Sequence, residues 1–158
     1  MGHSSTALRR LNHLICETDA VYHEAALWLG LSDSVMQILY TVCNYGDGRR
    51  CPLQEVRVQT GISKQTINSA LRKLEAEGIV YLEQAGGKSK DVCLTPQGEA
   101  LAGRTAARVI QMENHILASW PEDEVAAYLT LMEKYLTSFR AELEQQIKGP
   151  QRPERSGT

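Results

Sequence analysis

Between Gly61 and Gly78 lies a run of side chains suited to reading a polyanion. Ser63 is a helix N-cap residue, and Ile67, Ala70, Leu71 and Leu74 then recur at steps of three and four, the apolar face of one helix. That leaves Lys64, Gln65, Thr66, Asn68, Ser69, Arg72 and Lys73 on its other faces. Gln65, Thr66, Asn68 and Ser69 come early in the helix. Such groups can hydrogen-bond base edges in a DNA groove, and Gln and Asn amides can hold adenine through two bonds. Lys64, Arg72 and Lys73 suit phosphates. A second basic point follows at Lys88 and Lys90, beside Gly86-Gly87. Any exposed helix face is polar, so the helix alone does not decide the matter; the basic hairpin after it favours DNA.

The elements that must position these groups follow from periodicity. A short helix is expected from Pro52 to Thr60, with Pro52 in its first turn and Leu53, Val56 and Val58 facing inward. Gly61 permits the tight turn into the helix that opens at Ser63 and ends at Gly78. Ile79–Leu82 and Asp91–Leu94 have strand character around a polar, glycine-bearing turn from Glu83 to Lys90. Helix, turn, helix and hairpin in that order make a winged helix-turn-helix: the second helix fits the major groove and the hairpin offers its tip to the backbone or minor groove.

Longer helices flank this lobe. Leu8, Leu11, Ile15, Thr18, Tyr22, Ala25 and Leu29 form one stripe on a helix ending at Gly30, and its breadth calls for a partner surface. Ser32 caps a second helix carrying Val35, Met36, Leu39, Val42 and Cys43. Thr95-Pro96 opens a helix expected to run unbroken to Ser119, and Glu122-Asp123-Glu124 start another whose stripe reaches Ile147. The fold class is therefore mainly α with a small β-hairpin wing. Residues 149–158 read as a disordered tail.

The 158 residues carry 17 basic and 19 acidic side chains, a formal charge of −2, which argues mildly against a nucleic-acid partner. That total conceals a basic middle: from Arg49 to Asp91 there are eight lysines and arginines against five acids. No long apolar run suggests a membrane span, and no secretory pattern precedes the first helix. The four cysteines, Cys16, Cys43, Cys51 and Cys93, are far apart in sequence and read as buried or half-buried thiols of a cytoplasmic protein. His13 and Glu17, four residues apart, with His23 and Glu24 beyond, read as a solvated helix face, so no metal and no cofactor are expected. Neither is an enzyme: no nucleophile, phosphate-loop or dinucleotide motif occurs.

The sequence resembles the MarR family of transcriptional regulators. The resemblance rests on Leu31-Ser32-Asp33, on Gly61-Ile62-Ser63-Lys64-Gln65-Thr66-Ile67-Asn68, on Leu74-Glu75-Ala76-Glu77-Gly78-Ile79-Val80 and on Leu94-Thr95-Pro96-Gln97-Gly98, in that order and spacing. It implies a homodimer in which residues 6–31 and 96–148 form the dimerisation helices and residues 32–95 the DNA-binding lobe. It also implies a pseudo-palindromic double-stranded DNA operator, with Lys64, Gln65, Thr66, Asn68 and Ser69 at major-groove positions and Lys88 at the wing tip. Where the family's wing commonly has aspartate, any residue, arginine, this chain has Gly86, Gly87 and Lys88; a looser wing and a weaker minor-groove contact are expected, since lysine lacks the planar fork. Tyr22, Trp28, Tyr40 and Tyr45 are the candidates for a cleft binding a small aromatic or anionic effector. One branch of the family senses peroxides through a first-helix cysteine, but Glu17 and Asp19 disfavour a reactive thiolate at Cys16, which reads as structural. The expected function is a dimeric DNA-binding regulator, a repressor released by a small ligand. The alternative is a winged-helix protein-interaction module that does not read DNA.

Overall fold

A computed structural model describes residues 3–149. Its chain falls into two compact units, Met1–Glu113 and Asn114–Thr158. The expected tail, apart from Gly149, lies outside the described residues.

In the first unit Ser5 caps α1 (Thr6–Trp28) by accepting the Leu8 amide, and Ser32 caps α2 (Asp33–Cys43) by accepting that of Val35. Next come β1 (Arg50–Pro52), α3 (Leu53–Thr60), α4 (Lys64–Ala76), β2 (Val80–Gly86), β3 (Ser89–Leu94) and α5 (Pro96–Arg104). The three strands form one antiparallel sheet in the order β1-β3-β2. The core sits where α2, α3, α4 and this sheet meet. Ile38, Leu39 and Val42 of α2, Val56 of α3, Ile67 and Leu74 of α4 and Val92 of β3 are at most 1% exposed. Each such side chain contributes about 1.5–3 kcal/mol over its exposed state. The inward face expected for α4 is the one observed: Ile67, Ala70, Leu71 and Leu74 are all buried.

Helix α6 (Ala106–Ser119) begins in the first unit, and α7 (Glu122–Lys148) belongs to the second. Glu122, Asp123 and Glu124 occupy the first turn of α7, which has no side-chain cap, and favour the positive end of its dipole. None of the described residues of α7 is buried, and α1 buries only Ala26. Among the described residues no single helix is long and apolar enough to cross a membrane.

Four sequence expectations require correction. First, Pro52 ends a strand and does not begin the third helix: Cys51 pairs with Val92 and Pro52 with Asp91, an edge position that tolerates proline. Second, Val58 is 65% exposed, so only Leu53 and Val56 hold α3 to the core. Third, the helix from Pro96 breaks at Thr105, where φ is −127° and ψ −94°. The Thr105 hydroxyl donates to the Leu101 carbonyl at 2.7 Å, taking the acceptor its own amide would use in a continuous helix. Fourth, Cys16 is exposed on α1, not buried.

Cys51 and Cys93 are buried, and burial pushes both thiols up, Cys51 to about 11 with Glu55 and Asp91 adding to the effect. At about pH 8 the reactive thiolate of Cys51 is then near one part in a thousand. Iodoacetamide with peptide mapping should find Cys51 and Cys93 unmodified in the native protein and both alkylated once it is unfolded.

Candidate functional site

The local sequence explains why α4 stands as it does. Gly61, at φ +62°, lets α3 end in a left-handed turn that an L side chain would strain. Ser63 then caps α4: its Oγ accepts the Thr66 amide at 3.2 Å and lies 2.8 Å from the Thr66 hydroxyl. Thr66 is thereby engaged in the cap. The first turn of α4 holds Lys64 and no acid, so the positive end of the helix dipole is uncompensated, a setting that favours an anion.

Lys64, Gln65, Ser69, Arg72 and Lys73 are exposed, and Asn68 is half-buried. Asn68 and Arg72 share a groove of about 530 Å³ with Lys88 and Lys90 of the hairpin. The structure thus brings one flank of α4 together with Lys88 and Lys90 of the wing, while Lys64, Gln65, Thr66, Ser69 and Lys73 lie outside that groove. Arg57 of α3 also lines it, with its Nε buried and unpartnered among the described residues. Sequence reading missed Arg57, which sits between Val56 and Val58 in a helix too short for a clear period.

The wing differs from the expected short strands around a long polar turn. Glu83, Gln84 and Ala85 belong to β2 and Ser89 and Lys90 to β3, leaving a tight tip at Gly86-Gly87-Lys88. Two side chains tie that tip: Ser89 Oγ donates to the Gly86 carbonyl at 2.6 Å and the Gln84 amide donates to the Gly87 carbonyl. At its root, Arg50 of β1 reaches across the sheet to Asp91 Oδ2 of β3 at 2.7 Å and to Glu83 Oε2 of β2 at 2.9 Å. One guanidinium therefore joins all three strands, a pairing of residues 41 positions apart that no local pattern announces.

A second cavity, of about 610 Å³, lies within the first unit among α1, α2, α3 and the start of α6. Of the four aromatic candidates, Tyr22 and Tyr40 line it, and both hydroxyls donate to the carboxylate of Glu113. Burial, together with that carboxylate, holds the Tyr40 hydroxyl well above its ordinary value. Trp28 and Tyr45 do not line it: Arg108 lies over the Trp28 ring at 4.6 Å, and Tyr45 follows α2 in the loop. His13 and Glu17 form an exposed pair at 3.3 Å.

The sequence model of the MarR family matches residues 29–90. No curated protein matches. Among solved structures, a MarR-family regulator from Silicibacter pomeroyi is similar at 23% identity and a TM-score of 0.65, over 84% of this chain and 89% of that one. A MarR-family regulator from Neisseria meningitidis is similar at 16% identity and 0.73, over 91% and 100%. NadR in complex with 4-hydroxyphenylacetate is similar at 14% identity and 0.65, over 85% and 95%. The chain thus has the fold of solved MarR-family transcriptional regulators, and the stretch of it that resembles the family in sequence, residues 29–90, holds α2, α3, α4 and most of the wing.

Proposed function

We propose that the chain is a homodimeric, sequence-specific regulator of transcription that binds a pseudo-palindromic DNA operator and represses by occluding a promoter. The observation that carries this reading is the groove joining Asn68 and Arg72 of α4 to Lys88 and Lys90 of the wing, in which Arg57, Arg72, Lys88 and Lys90 outnumber the single acid, Glu75. In it, α4 enters the major groove with Gln65, Thr66, Asn68 and Ser69 towards base edges, while Lys64, Arg72, Lys73, Lys88 and Lys90 hold phosphates. The five cations make no ion pair among the described residues, whereas Arg49 and Arg50 are paired with acids and serve the fold. Residues 32–95 form the DNA-binding lobe. Residues 6–31 and 96–148 supply the dimer, which the exposed apolar stripes of α1 and α7 support. The cavity beside Tyr22 and Tyr40 takes a small effector, as NadR takes 4-hydroxyphenylacetate. Effector binding alters the separation of the two recognition helices, and operator affinity falls because half-site spacing is a geometric requirement. The setting is the cytoplasm.

Selection from a random duplex library, followed by fluorescence anisotropy on the enriched sequence, tests the reading. An inverted repeat should emerge, with log affinity falling linearly against log salt. Lys64→Gln and Lys88→Gln should each lower that slope by about 1 per subunit and weaken binding across sequences. Equal binding to enriched and scrambled duplexes without a salt slope would overturn it.

A further inference from the structure

The groove between α4 and the wing has a third wall. Leu53, Gln54 and Arg57 of α3 line it together with Asn68, Arg72 and Glu75 of α4 and with Lys88 and Lys90 of the hairpin. Arg57 is held there without a counter-charge. Its side chain is half-buried, and its Nε is closed off with no hydrogen-bond partner among the described residues. The two terminal nitrogens of the guanidinium have no partner there either and, unlike Nε, are not closed off from solvent. Two acids are at hand and neither is used. Glu55, on the same helix, accepts the Gln59 amide at 2.7 Å, and Glu75 makes no ion pair with any cation of the groove. A covered guanidinium N–H without an acceptor is costly to the free protein.

An acceptor from outside the chain answers that need. When a helix occupies the major groove and a hairpin tip reaches the neighbouring minor groove, the sugar-phosphate strand dividing the two grooves has to pass between helix and hairpin. In this chain the space between α4 and the wing is the groove that Arg57 lines. Lys88 and Lys90 are point charges, whereas a guanidinium presents a planar fork that matches two oxygens of one phosphate.

We propose that Arg57 is a DNA-backbone contact, by which α3 grips the strand crossing from major to minor groove together with Arg72, Lys88 and Lys90. The inference rests on the regulator reading and adds to it a contact from the first helix of the helix-turn-helix.

Arg57→Leu and Arg57→Lys in the full chain test it, with anisotropy on the enriched operator across a salt series and thermal melts of the free proteins. Leucine keeps apolar bulk and removes the covered N–H, so Arg57→Leu should melt at or above wild type. Its operator affinity should fall about tenfold, and the slope of log affinity against log salt should drop by about 1 per subunit. Operators with single base changes should lose affinity in the same proportion, because a phosphate contact carries no sequence information. Arg57→Lys should keep the slope and regain only part of the affinity, since lysine has the charge without the fork. An Arg57→Leu chain that fails to fold or melts well below wild type would make Arg57 structural and overturn the proposal, as would wild-type affinity and slope in that variant. The last result leaves the regulator standing, whereas a wild-type chain with neither sequence preference nor salt slope sinks both.

Discussion

Gly98→Ala should lower the melting temperature by roughly 10 °C. Thr95 caps α5 by accepting the Gly98 amide at 3.0 Å, and its hydroxyl sits 2.6 Å from the Gly78 carbonyl and 3.2 Å from that of Ile79. This cap seats the first turn of α5 on the root of the wing. A Cβ at the buried Gly98 would lie 1.9 Å from the Ile79 carbonyl oxygen and 3.0 Å from its carbon. The obstacle is backbone, so no rotamer relieves it, and the cap cannot retreat without losing its bonds to two carbonyls. Overpacking costs about 1–3 kcal/mol, and a backbone clash belongs at or above the upper end. At this chain length each kcal/mol moves the melting temperature by about 2–4 °C. Alanine's better helix propensity, about 1 kcal/mol, opposes the clash and is outweighed. Gly103→Ala is the internal contrast: the same helix, nothing within 4 Å of its Cβ, and a melting temperature unchanged or slightly raised. Thermal melts followed by circular dichroism read both, and a Gly98→Ala melt at or above wild type would show that the contact relaxes freely.

That contact also shows what the sequence could and could not announce. Thr95-Pro96 marked a helix start through capping chemistry, which is local, and Ser63 did the same for α4. The inward face of α4 was legible because four apolar residues at helical spacing over thirteen residues leave one solution. The strand β1 was not: three residues, one of them proline, carry no period, and they are extended only because Cys51 meets Val92 across the sheet. The break at Thr105 was hidden for another reason. A threonine hydroxyl that takes a carbonyl from its own helix leaves no apolar signature. Gly98 stands where the Ile79 carbonyl approaches, a contact across the chain that no neighbouring residue announces.

The candidate site divides along the same line. Polar residues on α4 were found because they are what the core-facing stripe excludes. Arg57 and the Arg50 clamp were missed because their meaning lies in partners or cavities contributed by distant strands. The cavity's aromatic residues were half found. Tyr22 and Tyr40 converge because Glu113, 91 and 73 residues away, accepts from both, and nothing near either tyrosine in sequence points to that carboxylate.

The largest effect on DNA binding is expected from a change far from α4 in sequence. Leu136→Glu with Phe139→Glu on α7 should convert the proposed dimer to monomers and reduce operator affinity by about a hundredfold. Over its 27 residues, about 40 Å of helix, α7 buries none of its described side chains. Met132, Tyr135, Leu136, Phe139, Leu143 and Ile147 are each at least 50% exposed. An apolar stripe of that length on a helix marks an interaction surface, and a second copy of the chain supplies a self-complementary one. Two carboxylates in the stripe would have to be buried unpaired, which opposes association. Joined subunits bind the second half-site of a palindrome at high effective concentration, while separate ones bind each half-site alone, so the loss appears in affinity without any change to α4, its cap or the wing. Light scattering should give twice the chain mass for wild type and the chain mass for the variant. Anisotropy should show the variant binding a single half-site as wild type does, with the deficit confined to the full palindrome. A wild-type chain that is monomeric at micromolar concentration and still binds the palindrome tightly would refute the dimer.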